Sequence, residues 1–112
     1  MTISVSLVCW LLFAHWVGDF VYQSDAMARG KSSSNKWLSY HVAVYTLVLI
    51  LLTFNISFAL INGAIHWCVD YVTSRRNTRL WNNKQVHDFF VNVGFDQFIH
   101  VCTLVLTAVW LL

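Results

Sequence analysis

The positions of the basic residues constrain this chain more than any other feature of its sequence. All seven Lys and Arg residues fall in two short polar stretches, 29–36 and 75–84, and long apolar runs fill most of the rest. Only 11% of the 112 residues are charged, 58% are hydrophobic, and there is no proline. A soluble domain of this size needs more charge to cover its surface, so the sequence predicts an integral membrane protein.

Four apolar segments predict an all-α fold, an integral membrane four-helix bundle that forms one transmembrane domain over residues 1–112. The predicted spans are about residues 2–22, 37–54, 56–71 and 89–112. Read without a break, residues 37–72 would form a helix of roughly 54 Å, far longer than a hydrocarbon core of ~30 Å. We therefore predict a helical hairpin, with Asn55 ending one helix in the left-handed conformation and Ser57 capping the next.

The two basic stretches lie in the loops that follow the first and third predicted spans, so they share one side of the membrane. The positive-inside rule makes that side cytoplasmic and places both termini on the far side of a multi-pass protein. Both loops are predicted to be partly helical, with Ser34 or Asn35 capping the second span. Three further titratable residues are expected in these loops, exposed to solvent: Asp25, His87 and Asp88.

Histidine and aspartate recur four residues apart in three of the predicted spans, and a further histidine opens the second span. The set comprises His15, Asp19, His41, His66, Asp70, Asp96 and His100. The spacing of four places both members of a pair on one helix face. The order is His then Asp in spans that run toward the cytoplasm and reversed in the fourth span. Every Asp is therefore nearer the cytoplasm than its His, by ~6 Å, and we expect the pairs to converge in one cluster.

Ionisable groups inside a membrane span are costly unless they are paired, so they usually have a function. Imidazole and carboxylate ligands suit zinc, manganese or iron, and helical bundles build one-metal and two-metal sites from such inward-facing sets. We therefore predict one or two divalent metal ions held by the seven residues of this set. Gln23 and Gln97 are candidates to orient the ligands from outside. A metal-free core of Asp–His hydrogen bonds is the open alternative.

The leading functional hypothesis is a metal-dependent hydrolase that acts on a lipid-linked or phosphorylated substrate from the cytoplasmic leaflet. The metal would activate water, with Asp70 and Asp96 as the candidate catalytic residues. Three basic residues are expected near the cytoplasmic entrance (the mouth) of the predicted site. They either hold an anionic head group or fix the orientation of the spans in the membrane: Lys31, Arg75 and Arg76. Membrane lipid is the expected partner and a homo-oligomer is compatible, whereas the signals for nucleic acid are weak. A proton path is disfavoured because the outer halves of the spans offer no relay.

Three motifs of this chain resemble those of the small bacterial and phage membrane proteins grouped as domain of unknown function 3307: HWVGDFVYQSDAMARGKSSSNKWLSYH, HWCVDYVTS and FDQFIH. The resemblance covers nearly the whole chain and implies a bacterial inner (cytoplasmic) membrane protein. The layout is also similar to inner-membrane proteins described as metal-dependent hydrolases, and by analogy the same seven His and Asp residues form the site. The second hypothesis is a non-enzymatic factor, for example a phage protein that binds a host membrane protein or excludes later infection.

Overall fold

The computed structural model describes residues 2–112, and those residues form helices and turns with no β-strand. The helices are α1 (Val5–Trp16), which continues as a π-helical segment (Val17–Val21), α2 (Asp25–Gly30), α3 (Asn35–Thr53), α4 (Ile56–Asn82) and α5 (Val86–Leu111). The prediction of an all-α fold is confirmed.

The four long helices contact one another in a ring, in which α1 and α4 each contact α3 and α5. The short helix α2 packs on α3. Apolar side chains fill the part of the interior toward the α3–α4 turn: Leu11, Ala14, Tyr45, Leu49, Phe58, Ala59, Leu104 and Ala108. Polar side chains occupy the remaining part, which is where the predicted site residues lie.

The turn between α3 and α4 lies where the sequence predicts it but uses different residues. Phe54, rather than Asn55, adopts the left-handed conformation, with φ of 54°. The Asn55 side chain instead caps α4 by accepting a hydrogen bond from the Phe58 N–H at 2.8 Å, and it donates to the Leu111 carbonyl at 3.0 Å. Ser57 lies inside α4. The predicted roles of Asn55 and Ser57 are wrong because Asn55 bonds two helix ends from the capping position.

The helix α4 continues to Asn82, well beyond the end predicted near residue 71. Residues 72–82 contain neither proline nor glycine and include three arginines, which favour helix. The helix α5 begins at Val86, so His87 and Asp88 lie in its first turn and not in a loop, although both are exposed as expected. An apolar run thus identifies the apolar part of a helix, and the helix itself can extend beyond that run.

The segment between α1 and α3 places Lys31 against α4. Ser34 caps α3 by accepting a hydrogen bond from the Trp37 N–H at 3.4 Å, which selects Ser34 over Asn35. Gly30 ends α2 against the Trp37 ring, where an added Cβ would come within 2.6 Å of Cδ1. A side chain at residue 30 would push α2 away from Trp37. The close approach of Gly30 therefore helps to set the position of Lys31 relative to α4.

Within residues 2–112, two helices are long and apolar enough to cross a membrane, α3 and α5. The stretch Val5–Val21 is a shorter apolar helix. Core helices of soluble proteins and N-terminal signal sequences meet the same criterion, so the predicted number of spans stays a prediction.

Candidate metal centre

The π segment brings Asp19 into the interior. A π turn holds one more residue than an α turn, so it redirects the side chains that follow it, and such turns occur often at functional sites. Gly18 lies in this segment against the Tyr45 ring, where an added Cβ would come 2.9 Å from Cδ2. This close packing of the segment on α3 leaves Asp19 Oδ1 only 3.0 Å from His41 Nε2.

Four buried side chains from the π segment, α3 and α4 each bring one atom to a common centre. We call Asp19, His41, His66 and Asp70 the four-ligand group. Each imidazole Nε2 lies 3.0–3.4 Å from Asp19 Oδ1 and from Asp70 Oδ2. The two Nε2 atoms are 3.1 Å apart. All four residues are at most 3% exposed, so water reaches none of these atoms freely.

The spacing of the four-ligand group is close to that of a tetrahedral metal site. Zinc bonds of ~2.0–2.2 Å give ligand–ligand distances of roughly 3.3–3.6 Å, slightly more than those found here. Among the described residues no hydrogen bond reaches Asp19 Oδ1, even though His41 Nε2 is 3.0 Å away. Asp19 Oδ1 therefore keeps its capacity to bind a cation, and the group can hold a metal ion.

Asp19 also belongs to a second group of buried ligand atoms, with Asp96 and His100 of α5. His100 Nε2 lies 3.2 Å from Asp96 Oδ1 and 3.0 Å from Asp70 Oδ1. Asp70 therefore presents one oxygen to the four-ligand group and the other to His100. Asp19 and Asp70 lie between the two groups, as shared carboxylates do in two-metal sites of helical bundles.

Gln97 and Thr73 hold the carboxylates from outside. The Gln97 amide donates to Asp19 Oδ2 at 3.2 Å and to Asp96 Oδ2 at 3.0 Å. The Thr73 hydroxyl lies 2.5 Å from Asp96 Oδ1, a contact that the sequence did not predict. Outer hydrogen bonds of this kind fix the orientation of ligand carboxylates, so the geometry suits the predicted role of Gln97. By contrast, no hydrogen bond among the described residues reaches Gln23 Oε1.

His15 lies beside the two groups and belongs to neither. Its Nε2 is 2.6 Å from Gln97 Oε1, and its Nδ1 is 2.9 Å from the Tyr45 hydroxyl. Because Gln97 uses its nitrogen on the carboxylates, its oxygen accepts a hydrogen bond, and His15 Nε2 carries the proton. A protonated ring nitrogen does not bind metal. The arrangement favours His15 as an outer partner, and its predicted role as a ligand stays a prediction.

Three aromatic rings stack behind the ligand atoms. The His66 ring lies 3.9 Å from the His100 ring and 4.1 Å from the Tyr45 ring, measured between centroids. The stacked His100 ring and the tilted Tyr45 ring restrict the orientation of the His66 imidazole, whose Nε2 lies toward Asp19 and Asp70. The sequence did not single out Tyr45, because an aromatic residue in an apolar run carries no signal of a polar partner.

Lys31 contacts the cluster directly. Its Nζ is 3.2 Å from Asp70 Oδ2, the oxygen that also faces both imidazoles of the four-ligand group, and its side chain is 17% exposed. Arg75 instead donates to Asn35 Oδ1 at 2.8 Å and lies over the Tyr71 ring. Of the basic residues expected near the mouth, Lys31 is the one that forms an ion pair with the cluster among the described residues.

A family model described as "Protein of unknown function (DUF3307)" matches residues 7–112. The matched range contains every residue of the two ligand groups and agrees with the resemblance seen in the sequence motifs. Comparisons with curated proteins and with solved structures find no match. The chain therefore belongs to the DUF3307 family of proteins of unknown function.

Proposed function

We propose that this protein is a membrane-embedded, metal-dependent hydrolase that acts on a lipid-linked or phosphorylated substrate from the cytoplasmic leaflet. The observation that carries the proposal is the four-ligand group. Two imidazole nitrogens lie 3.1 Å from each other and 3.0–3.4 Å from two carboxylate oxygens in a buried interior, and one of those oxygens accepts no hydrogen bond among the described residues.

The distribution of apolar surface supports a membrane setting. Large apolar side chains are exposed, among them Phe54 at 90%, Trp110 at 73% and Leu106 at 63%. The charged and titratable side chains of the cluster are buried instead. Lipid is the solvent that suits an apolar exterior, and a polar interior is where membrane proteins keep functional ionisable groups. The four long helices would then be the spans of a bacterial inner-membrane bundle, with the basic stretches in the cytoplasm.

The charges in the interior can accommodate a bound cation. Asp19, Asp70 and Asp96 bring three negative charges and Lys31 brings one positive charge. An unpaired buried charge costs several kcal/mol, so the remaining two negative charges need a partner, either protonated histidines of the cluster or a bound cation. With neutral histidines, one divalent cation in the four-ligand group completes the balance. A second cation, bound with Asp96 and His100, would add two positive charges, which an anionic substrate can offset.

The ligand types indicate which metals fit. Two imidazoles and two carboxylates at tetrahedral spacing suit zinc, and the more oxygen-rich second group suits manganese or iron. A divalent cation here would polarise a phosphoryl or acyl oxygen and make bound water more acidic.

Asp96 is the residue best placed to accept a proton from the attacking water. It lies outside the four-ligand group, its side chain is 10% exposed, and Thr73 and Gln97 hold its carboxylate in place. When a single metal ion occupies the four-ligand group, Asp70 is one of its ligands and Asp96 is not, so for that case we assign metal binding to Asp70 and proton transfer to Asp96.

The test is release of inorganic phosphate from phosphatidic acid in mixed micelles. We expect Asp96→Asn to lower kcat at least ~100-fold, because it removes the proton acceptor while leaving the four-ligand group intact. Asp88→Asn, an exposed change on the same helix, should retain the wild-type rate. Wild-type protein that contains metal but hydrolyses no phosphate ester, or full activity in Asp96→Asn, would contradict the proposal.

A second candidate is a non-enzymatic membrane factor in which the metal is structural. The observation that favours it is that the chain itself supplies four ligand atoms, as closed structural zinc sites do, whereas catalytic sites keep a position open. In the phage case such a factor would bind a host membrane protein or exclude later infection. The test is protection of cells from later phage infection. Protection that is unchanged by Asp96→Asn but lost with Asp70→Ala would favour this function over hydrolysis.

A further inference from the structure

One open cavity with polar and apolar walls adjoins the metal-binding cluster. The cavity has a volume of ≈ 480 Å³ and lies between α2, α4 and the start of α5. Lys31 and Ser74 line it, and both also touch Asp70. The Ser74 hydroxyl donates to the Asp70 carbonyl at 2.5 Å, and Lys31 Nζ lies 3.2 Å from the Asp70 carboxylate. The cavity and the four-ligand group therefore share one wall.

The polar side chains that line the cavity suit an anion. They are Lys31, Ser32, Ser74, Asn77, Thr78 and Asn82. No acidic side chain is among the described residues that line this cavity. The side-chain oxygen of Asn77 accepts a hydrogen bond from Asn92 at 2.6 Å, so the nitrogen of Asn77 is left to donate. The hydroxyls of Ser32, Ser74 and Thr78 donate to backbone carbonyls, so the donors left for a ligand are the Lys31 ammonium group and the side-chain amides. An ammonium group with amide donors, and without a carboxylate, selects a negatively charged ligand.

The remaining wall of the cavity is apolar and aromatic. Trp81 and Phe89 pack with their ring centroids 5.0 Å apart, and Phe90 lies next to them, 61% exposed. Tryptophan is enriched where membrane proteins cross the head-group region, and this end of the molecule carries both basic stretches. The cavity therefore combines a polar pocket for a head group with an apolar side that faces the surface.

We propose that this cavity binds a phosphate group, with Lys31 donating to the phosphate and to Asp70 at the same time. The ammonium group has three donors, and the ion pair with Asp70 uses one of them. The inference rests on the proposed function, since it identifies the substrate class as a phosphate ester held beside the metal ligands. Lys31 thereby positions the phosphate next to the four-ligand group.

Binding of phosphatidic acid to the detergent-purified full chain, measured by native mass spectrometry, tests the inference. Diacylglycerol serves as the same lipid without phosphate. Lys31→Ala removes the cation, and Ala28→Trp fills the cavity without changing a group that touches Asp70. We expect each variant to raise the Kd for phosphatidic acid at least ~10-fold, because each removes a charge-assisted contact or the space for it. The control is Lys36→Ala, an exposed lysine outside the cavity, which should leave the Kd unchanged.

Inorganic phosphate distinguishes the two sources of the ligand. Competition between inorganic phosphate and phosphatidic acid would show that the cavity recognises phosphate itself. No competition would show that the cavity recognises phosphate only when a lipid carries it. Either result fits the proposal. Equal binding of phosphatidic acid and diacylglycerol, or wild-type affinity in both Lys31→Ala and Ala28→Trp, overturns it.

Metal content measured on the same samples separates this inference from the proposed function. Wild-type protein that contains stoichiometric metal and shows no preference for phosphatidic acid overturns the phosphate site alone. Protein that binds phosphatidic acid through Lys31 but contains no metal overturns the hydrolase alone.

Discussion

Asp70 joins the separate parts of the site through its two carboxylate oxygens. Its Oδ2 faces His41, His66 and Lys31, and its Oδ1 faces His100. An ionised carboxylate accepts through either oxygen, so one aspartate side chain can join groups that lie on two sides of it. No other residue type of similar size offers the same set of acceptors, so Asp70 links the candidate metal ligands of α3 and α4 to α5 and to the cavity proposed to bind phosphate.

Gly18 gives a residue-scale prediction about stability. An added Cβ at this position would come 2.9 Å from the Tyr45 ring, and the Tyr45 hydroxyl is bonded to His15. We expect Gly18→Ala to lower the free energy of unfolding by about 1–3 kcal/mol, because the tyrosine must move. Gly94 of α5 is the matched control, since an added Cβ there meets no atom within 4 Å. Thermal unfolding in detergent should place Gly94→Ala at or above wild type, and equal stability of the two variants would contradict the packing described here.

Residues that recur at a fixed spacing were predictable, whereas their partners from other segments were not. The His–Asp spacing of four identified His66, Asp70, Asp96 and His100 from the sequence, and these side chains meet in the structure. Lys31 belongs to a different polar segment, and its contact with Asp70 depends on how α2 packs on α3. Such contacts depend on tertiary packing, which no local pattern records.

At the scale of helices and turns, the α3–α4 hairpin depends on one capping residue. Asn55 accepts a hydrogen bond from the first turn of α4 and donates one to the last turn of α5. We expect Asn55→Ala to lower the free energy of unfolding by about 1–2 kcal/mol, because it removes an N-cap and a contact between helices. Ser57→Ala, two residues away and exposed, should have little effect. Chemical denaturation in detergent compares the two, and a larger loss for Ser57→Ala would restore the predicted capping role of Ser57.

The existence of the long helices was predictable, but their ends and the π segment were not. Apolar runs report which stretch avoids water, so they cannot show that α4 continues through its arginines to Asn82. The π segment has no periodicity of its own over five residues. Gly18 of this segment packs closely on Tyr45, a contact that only the folded chain reveals.

At the scale of the whole molecule, both basic stretches lie at one end. Lys31 lines the same cavity as Trp81 and Asn82, which come from the second stretch. At the other end, Asn55 bonds to Leu111 at the C-terminal end of α5. A chain with four spans and its basic loops on one side would need both stretches at one end, and the number of spans and their orientation stay predictions from the positions of Lys and Arg.

Reporter fusions test this topology. Fusions after Lys31 and after Lys84 should report the cytoplasm, and a fusion after Leu112 should report the far side of the membrane, because positively charged loops are retained inside. A cytoplasmic signal after Leu112 would exclude the four-span arrangement and remove the cytoplasmic access on which the proposed substrate depends.

The most direct test of the central claim, that the buried cluster holds a metal ion, is elemental analysis of the detergent-purified protein. We expect about one to two equivalents of a divalent transition metal per chain in the wild type. His66→Ala removes one ligand of the four-ligand group and should lower the metal content at least ~10-fold. His87→Ala, which removes an exposed histidine at the start of α5, should retain the wild-type content. Wild-type protein without stoichiometric metal, or a folded His66→Ala variant with undiminished metal, would contradict the account.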